Sequence, residues 1–195
     1  WTMFDSFTLS YFGTAPEAYQ MCLTKGMPAK KEYSTAEVSK QYIDTYDVAY
    51  AMTATDKASV SAAVRAISAA NETIALNVQL WADLKAKYEK ANEVRVEYSV
   101  FENSASILSD YIEDGYDERL EDVLPGGVKG LLAAEAKEGN NDQSNAQLEA
   151  IIVKIDQLIE AVYNEAKGGA TSEKSLLWRK FMHCTYTGNR LKSQI

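Results

Sequence analysis

The sequence predicts an all-α protein, an elongated helical bundle around one long helix, and three observations carry that expectation. No Gly or Pro occurs from Ala29 to Asp114, a run of 86 residues without a helix breaker. Apolar residues in that run recur at helical spacing. No pair of Val/Ile/Thr-rich alternating segments joined by a turn signal occurs, apart from one short extended piece at the N-terminus.

Residues 1–30 read as an arm, and residues 31–195 as a single bundle domain. Trp1, Phe4, Phe7, Tyr11, Phe12 and Tyr19 concentrate six of the chain's 20 aromatics in the arm. Thr14-Ala15-Pro16-Glu17 caps a short helix through Cys22, with Pro in the first turn, where its missing N–H does no harm. Rings of this kind need burial, so the arm either folds back on the bundle or docks on another chain. Ser34-Thr35-Ala36-Glu37 has the form of a capping box. It predicts a helix to about Ala54, with Val38, Tyr42, Tyr46, Ala49 and Met52 on one side. Thr53-Ala54-Thr55-Asp56 supplies the N-cap candidates for the next helix and marks a corner.

The longest element follows. Its seam is Val60, Val64, Ile67, Asn71, Ile74, Val78, Trp81, Leu84, Tyr88, Ala91, Val94, Tyr98, Phe101, Ala105, Leu108 and Ile112. The mean step of 3.47 residues is the period of coiled coils and bundles. Unbroken from Lys57 to Ile112, this helix is about 84 Å long, and it has two weak spots, at Asn71–Thr73 and Asn103–Ser106. A turn through Gly115 lies in the seven-carboxylate stretch Asp110–Asp122, and Leu124-Pro125-Gly126-Gly127 breaks the chain again. A short helix from Val128 to about Lys137 comes next. A capping box at Ser144–Gln147 then opens a helix to Lys167 carrying Leu148, Ile152, Ile155, Ile159, Val162 and Ala166. Gly168-Gly169 ends it. A last helix runs from near Thr171 through Leu177, Trp178, Phe181 and Cys184.

Net charge is −8 over 195 residues, the wrong sign for a nucleic-acid surface, which needs clustered cations to displace counterions. No apolar run approaches the roughly 20 residues of a membrane span. His183 is the only histidine, so a catalytic triad or a His-rich zinc site lacks its members. No phosphate-loop, nucleophile-elbow, CxxC or HExxH pattern occurs, and neither catalytic activity nor a cofactor is expected. The acidic turn half-matches a calcium loop. With Gly115 as its sharp-turn residue, Asp110, Asp114, Glu118 and Glu121 fall at ligand positions, but Ile112 stands where a third ligand belongs.

Cys22 and Cys184 are candidates for a disulfide. It would close a long loop and contribute about 3–5 kcal/mol on the chain-entropy model. Together with a start at Trp1, it fits a processed protein in an extracytoplasmic or organellar compartment. Asn71-Glu72-Thr73 is a glycosylation sequon on the predicted seam, where a buried Asn that fixes register is the competing reading. Tyr42, Tyr46 and Tyr50 form an i, i+4, i+8 stripe suited to a half-wet interface, to be read with Trp1, Phe4 and Phe7 as interface candidates. The basic residues Lys174, Arg179, Lys180, Arg190 and Lys192 contrast with the acidic Asp110–Asp122. The expected function is a non-enzymatic helical structural or interaction subunit whose partners are other protein subunits. The alternative is a secreted or surface bundle that binds a ligand or host factor.

Overall fold

The computed structural model describes residues 30–116, 124–133 and 142–168. These residues form an all-α bundle of five helices, with no strand among them: α1 (Lys40–Tyr50), α2 (Lys57–Glu97), α3 (Glu102–Glu113), α4 (Gly127–Leu132) and α5 (Asn145–Gly168). They fall into two compact units. Unit one takes described residues 30–81 and 142–145, and unit two takes 82–116, 124–133 and 146–168, so α2 has residues in both. The aromatic arm, Cys22, Cys184, His183, Glu118, Glu121 and the basic C-terminal residues lie outside the described residues.

In unit one, α1 packs on the first half of α2. Val38, Tyr46, Ala49, Ile67, Ala70 and Ile74 form a buried cluster, with Tyr33, Tyr42, Ile43 and Tyr50 against it. The capping box at Ser34 does not start α1. Ser34 and Glu37 close one turn, in which Glu37 N–H donates to the Ser34 carbonyl at 3.1 Å and the Ser34 hydroxyl to the Glu37 carboxylate at 3.4 Å. The helix begins only at Lys40, behind an extended Ser39. Tertiary bonds explain the delay, because the Ser39 N–H and hydroxyl are both engaged by α2. The helix also ends at Tyr50, earlier than the expected Ala54, and Met52 stands 41% exposed. The α2 start is as expected. Ser59 N–H donates to Asp56 Oδ1 at 2.8 Å, and Asp56 N–H donates back to Ser59 Oγ at 3.1 Å, a reciprocal cap.

The seam of α2 needs correction over its first half. Val60, Ile67, Ile74, Trp81, Leu84, Ala91 and Val94 are buried as expected, but Val64 and Val78 are 38% and 44% exposed and Asn71 is half-buried. The buried column is Ala63, Ala70 and Asn77, one residue earlier and 100° round the helix. In unit one α1 presents tyrosine rings, and small side chains opposite them let the helices approach.

Helix α2 passes straight through Asn71–Thr73 and ends at Glu97. The predicted helix to Ile112 is therefore two helices, parted at Tyr98–Phe101. Phe101 leaves the helical region at φ −94°, ψ 72° and has no side-chain oxygen to cap α3. Glu165 of α5 supplies that oxygen: Ser104, the third residue of α3, donates its N–H to Glu165 Oε2 at 2.9 Å, and its hydroxyl donates to the same atom. The ring of Tyr98 meets Phe101 and, edge to face at 5.3 Å, Tyr163 of α5. Unit two is further tied by Lys87 of α2 to Asp156 of α5, at 2.6 and 2.7 Å.

Between α3 and α4 the backbone closes on itself. Gly115 N–H donates to the Asp110 carbonyl at 2.7 Å, and its own carbonyl accepts from Leu124 N–H at 2.9 Å. Gly115 has φ 72°, and a Cβ there would sit 1.4 Å from the Leu124 oxygen, so no other residue fits. Helix α4 is one short turn and a half, Gly127–Leu132, after which Ala133 is extended. On α5, Leu148, Ile151, Ile155, Ile159 and Val162 are buried.

The corrected seam has a direct test. Ile155→Asp places an unpaired charge in a fully buried site and is expected to destabilise by about 3–5 kcal/mol. Val78→Asp, in a half-exposed site, is expected to change stability by less than about 1 kcal/mol. Urea melts followed by circular dichroism measure both. A large loss at Val78 would restore the originally expected face.

Candidate functional site

The most constrained polar site among the described residues lies in unit one, around Asn77. Its side chain is wholly buried, at 0% exposure, in the α2 column that faces α1. A buried primary amide needs partners for its donor and its acceptor atom, and its neighbours supply one for each. Oδ1 accepts from the Ser39 N–H at 2.9 Å, and Nδ2 donates to Asn145 Oδ1 at 2.8 Å. Asn145 Nδ2 donates to the Thr73 carbonyl at 3.3 Å, and Asn145 N–H donates to the Tyr42 hydroxyl at 2.7 Å. Trp81 Nε1–H donates to Ser39 Oγ at 3.3 Å. The backbone before α1, one face of α2 and the first residue of α5 thus meet on a single amide. Beside it, Asp142 Oδ1 accepts from Gln41 N–H at 3.2 Å, and the Asp142 carbonyl accepts from Gln41 Nε2 at 2.8 Å. The arrangement can hold three segments in register, and it offers no nucleophile–base pair.

The tyrosine stripe flanks this hub. Tyr46 is buried, with its hydroxyl accepting from Lys31 N–H at 3.0 Å, while Tyr42 and Tyr50 are half-buried. Tyr33 packs edge to face on Tyr46 at 5.2 Å and donates its hydroxyl proton to Asn71 Oδ1 at 3.3 Å. Burial, then the neighbouring Tyr46, holds the Tyr33 phenol above its ordinary value. Lys30, joined to Asp47 at 2.8 Å, ties the segment ahead of Tyr33 to α1. Asn71 of the sequon therefore has the Tyr33 hydroxyl at its oxygen.

Bordering the hub at Tyr42 and Thr73, an apolar groove of about 410 Å³ opens between α1 and α2. Thr45, Val48 and Met52 form one wall, and Ala66, Ala69 and Ala70 the other.

Unit two holds a charged clasp. Arg95 Nη1 donates to Ser109 Oγ at 3.1 Å and Nη2 to Glu113 Oε1 at 2.8 Å, while Lys129 Nζ reaches Glu113 Oε2 at 2.6 Å. The Lys129 hydrogen bond, with Arg95 adding to it, holds the Glu113 carboxyl below its ordinary range against the opposing effect of burial. Glu113 in turn raises Lys129. The clasp joins α2, α3 and α4.

Of the candidate calcium ligands, Asp110 is half-buried and receives the Ser106 hydroxyl at 3.4 Å, and Asp114 is exposed. Their partners in that pattern lie outside the described residues, and Ile112, at the third ligand position, is fully buried in the fold. Among the described residues no group of three His, Cys, Asp or Glu side chains is placed to hold a metal ion. No helix among them is long and apolar enough to cross a membrane.

Sequence reasoning missed Asn77. The signal was its seven-residue spacing from Ala70 and Ala63, a column of small residues passed over for the larger Val64 and Val78.

Asn77→Ala orphans the Ser39 N–H and Asn145 Oδ1 and is expected to destabilise by about 2–4 kcal/mol. Asn77→Asp keeps the acceptor but turns the donor into an anion facing Asn145 Oδ1, so its folded carboxyl is raised. Its melting temperature is therefore expected to be highest below the ordinary carboxyl range and to fall as pH rises through the raised value. Glu113 has the opposite sign. Its folded value is lowered, so its contribution is complete above the ordinary carboxyl range near 4.3 and is lost as pH falls through the folded value. Glu113→Gln should flatten that acid limb in calorimetry.

No family model, curated protein or solved structure matches this chain.

Proposed function

We propose that this protein is a non-enzymatic helical interaction subunit that joins other protein subunits in a larger assembly. The observation that carries the reading is apolar surface held in water at the α2–α3 corner of unit two. Val96 is 71% exposed and Val100 55%. Beside them lies an open depression of about 550 Å³, lined by Val96, Ser99, Glu102, Ala105, Ser106 and Ser109, with Arg95 at its edge. Branched aliphatic side chains beside small hydroxyls and one arginine have the composition of a contact patch with a polar rim. The helical framework behind the patch is fixed by the Arg95–Glu113–Lys129 clasp and by the Glu165 cap, so a partner would meet a preorganised surface.

The alternative, a stand-alone secreted or surface binder, differs in solution behaviour. Sedimentation velocity on the full chain tests the choice. A subunit without its partners is expected to self-associate at micromolar concentration, and Val96→Asp with Val100→Asp is expected to return it to monomer with its melting temperature unchanged within about 2 °C. A wild-type chain that is already a stable monomer, indifferent to both substitutions, would favour the stand-alone binder.

A further inference from the structure

We infer that the outer face of α2 in unit one pairs with the same face of a second copy of this chain, the two helices running antiparallel. The surface chemistry of α2 changes along its length. From Ala58 to Leu80 it carries two charged residues in 23 positions, Arg65 and Glu72, whereas from Trp81 to Glu97 it carries eight in 17. The first stretch is nevertheless a surface, with twelve of its residues exposed and Leu76 at 45% among them. Across Ala66 and Ala69 this uncharged face continues into the groove, where Val48 of α1 is 71% exposed and Met52 41%. A helix face so short of charge is suited to a protein cover.

The two charges select the occupant. Arg65 and Glu72 are both exposed, and among the described residues neither has an ion-pair partner. Seven residues apart, they share one face but stand about 10 Å apart along the axis, too far to pair with each other. An antiparallel copy reverses the order. Arg65 of each chain then meets Glu72 of the other, twice over, about a two-fold axis between Ser68 and Ala69. The same register sets Leu76 of each copy over Ser61 and Ala62 of the other, a large side chain against small ones. A parallel copy would instead oppose Arg65 to Arg65 and Glu72 to Glu72. The net charge of −8 on each copy is largely screened beyond about 8 Å at physiological ionic strength, while pairs in contact keep their attraction. One helix pair about 35 Å long makes a small, weak contact. It suits an assembly, where effective concentrations reach about 1 mM. This face lies in unit one, so the inference stands apart from the α2–α3 corner on which the proposed function rests.

The test uses the full chain carrying Val96→Asp and Val100→Asp, so that the corner adds nothing. Sedimentation equilibrium under reducing conditions at about 0.5–1 mM is expected to show a dimer. Arg65→Glu or Glu72→Arg alone is expected to weaken it at least about tenfold with the melting temperature unchanged, because each creates like-charge contacts. Mixing these two variants in equal amounts should restore the dimer, since every contact then joins unlike charges. Both reversals on one chain should restore it too, a pattern that a parallel pair cannot give. A monomer at this concentration, a dimer indifferent to either reversal, or no recovery on mixing would each overturn the assignment, the first by leaving the face to a different protein. The corner reading fails on a separate result, the absence of micromolar self-association in the unsubstituted chain.

Discussion

A carboxamide buried in a helix contact leaves little freedom to what surrounds it. Asn77 has no access to water, so its acceptor and donor must be met by groups in the protein, and an unmet one costs about 1–3 kcal/mol. The chain meets them with a backbone N–H from the residue before α1 and a side chain from the first residue of α5. Much of unit one follows from that choice. Ser39 stays extended because its N–H points at α2, and the turn at Ser34–Glu37 is kept out of the helix. Asn145 must sit beside Thr73 and Tyr42, which sets where α5 begins. An aliphatic side chain at position 77 would remove the polar requirement and, with it, the bonds by which α2 selects this register over a slipped one at a column where Ala63 and Ala70 offer little relief, leaving the Trp81–Ser39 and Tyr33–Asn71 contacts to do so.

Unit two is organised by charge placed at helix ends. Glu165 serves α3 as the N-cap that Phe101 cannot be, and Glu113 sits between Arg95 and Lys129, where α2, α3 and α4 come together. These are partly exposed pairs, and their value lies in direction more than in strength. A carboxylate accepting from a helix's third N–H fixes the angle at which α3 leaves Phe101. The turn after α3 is fixed by backbone alone, because Gly115 brings the Leu124 carbonyl to a distance no Cβ permits.

The fold class was legible because it depends on periodicity and on the absence of breakers, both of which are properties of the sequence. Helix α5 was read nearly to the residue for the same reason, with Ser144 before it and Gly168 at its end. The two displaced helix boundaries share one cause. Ser34–Glu37 has sound local chemistry for a helix start, and the stretch around Phe101 has no Gly or Pro to announce a break. In each case bonds to residues distant in sequence decided the outcome: Asn77 and Trp81 for Ser39, Glu165 for Ser104. The seam of α2 over its first half departs from side-chain size as the mark of burial, because tyrosine rings on α1 require alanine and asparagine opposite. The candidate site was half visible. The tyrosine stripe stood out by its spacing, but Tyr42 belongs to the hub through its hydroxyl, and no local pattern links it to an asparagine 103 residues away.

That separation bears on how the chain is made. During translation Tyr42 and Asn77 leave the ribosome 103 and 68 residues before Asn145. At about 5–20 residues per second the interval is about 3–20 s. Throughout it, α1 and α2 are present as a hairpin able to bury Ile67 and Tyr46, but the Asn77 amide hydrogens have only water to bind. The hairpin can already form the Ser39–Asn77 and Trp81–Ser39 bonds, but the Asn77 hydrogen bond to Asn145 is missing until the first residue of α5 emerges. Closure of the Asn77 hub waits on a residue 68 positions further along the chain. A ribosome stalled before that point would carry an α1–α2 pair that is collapsed but not locked.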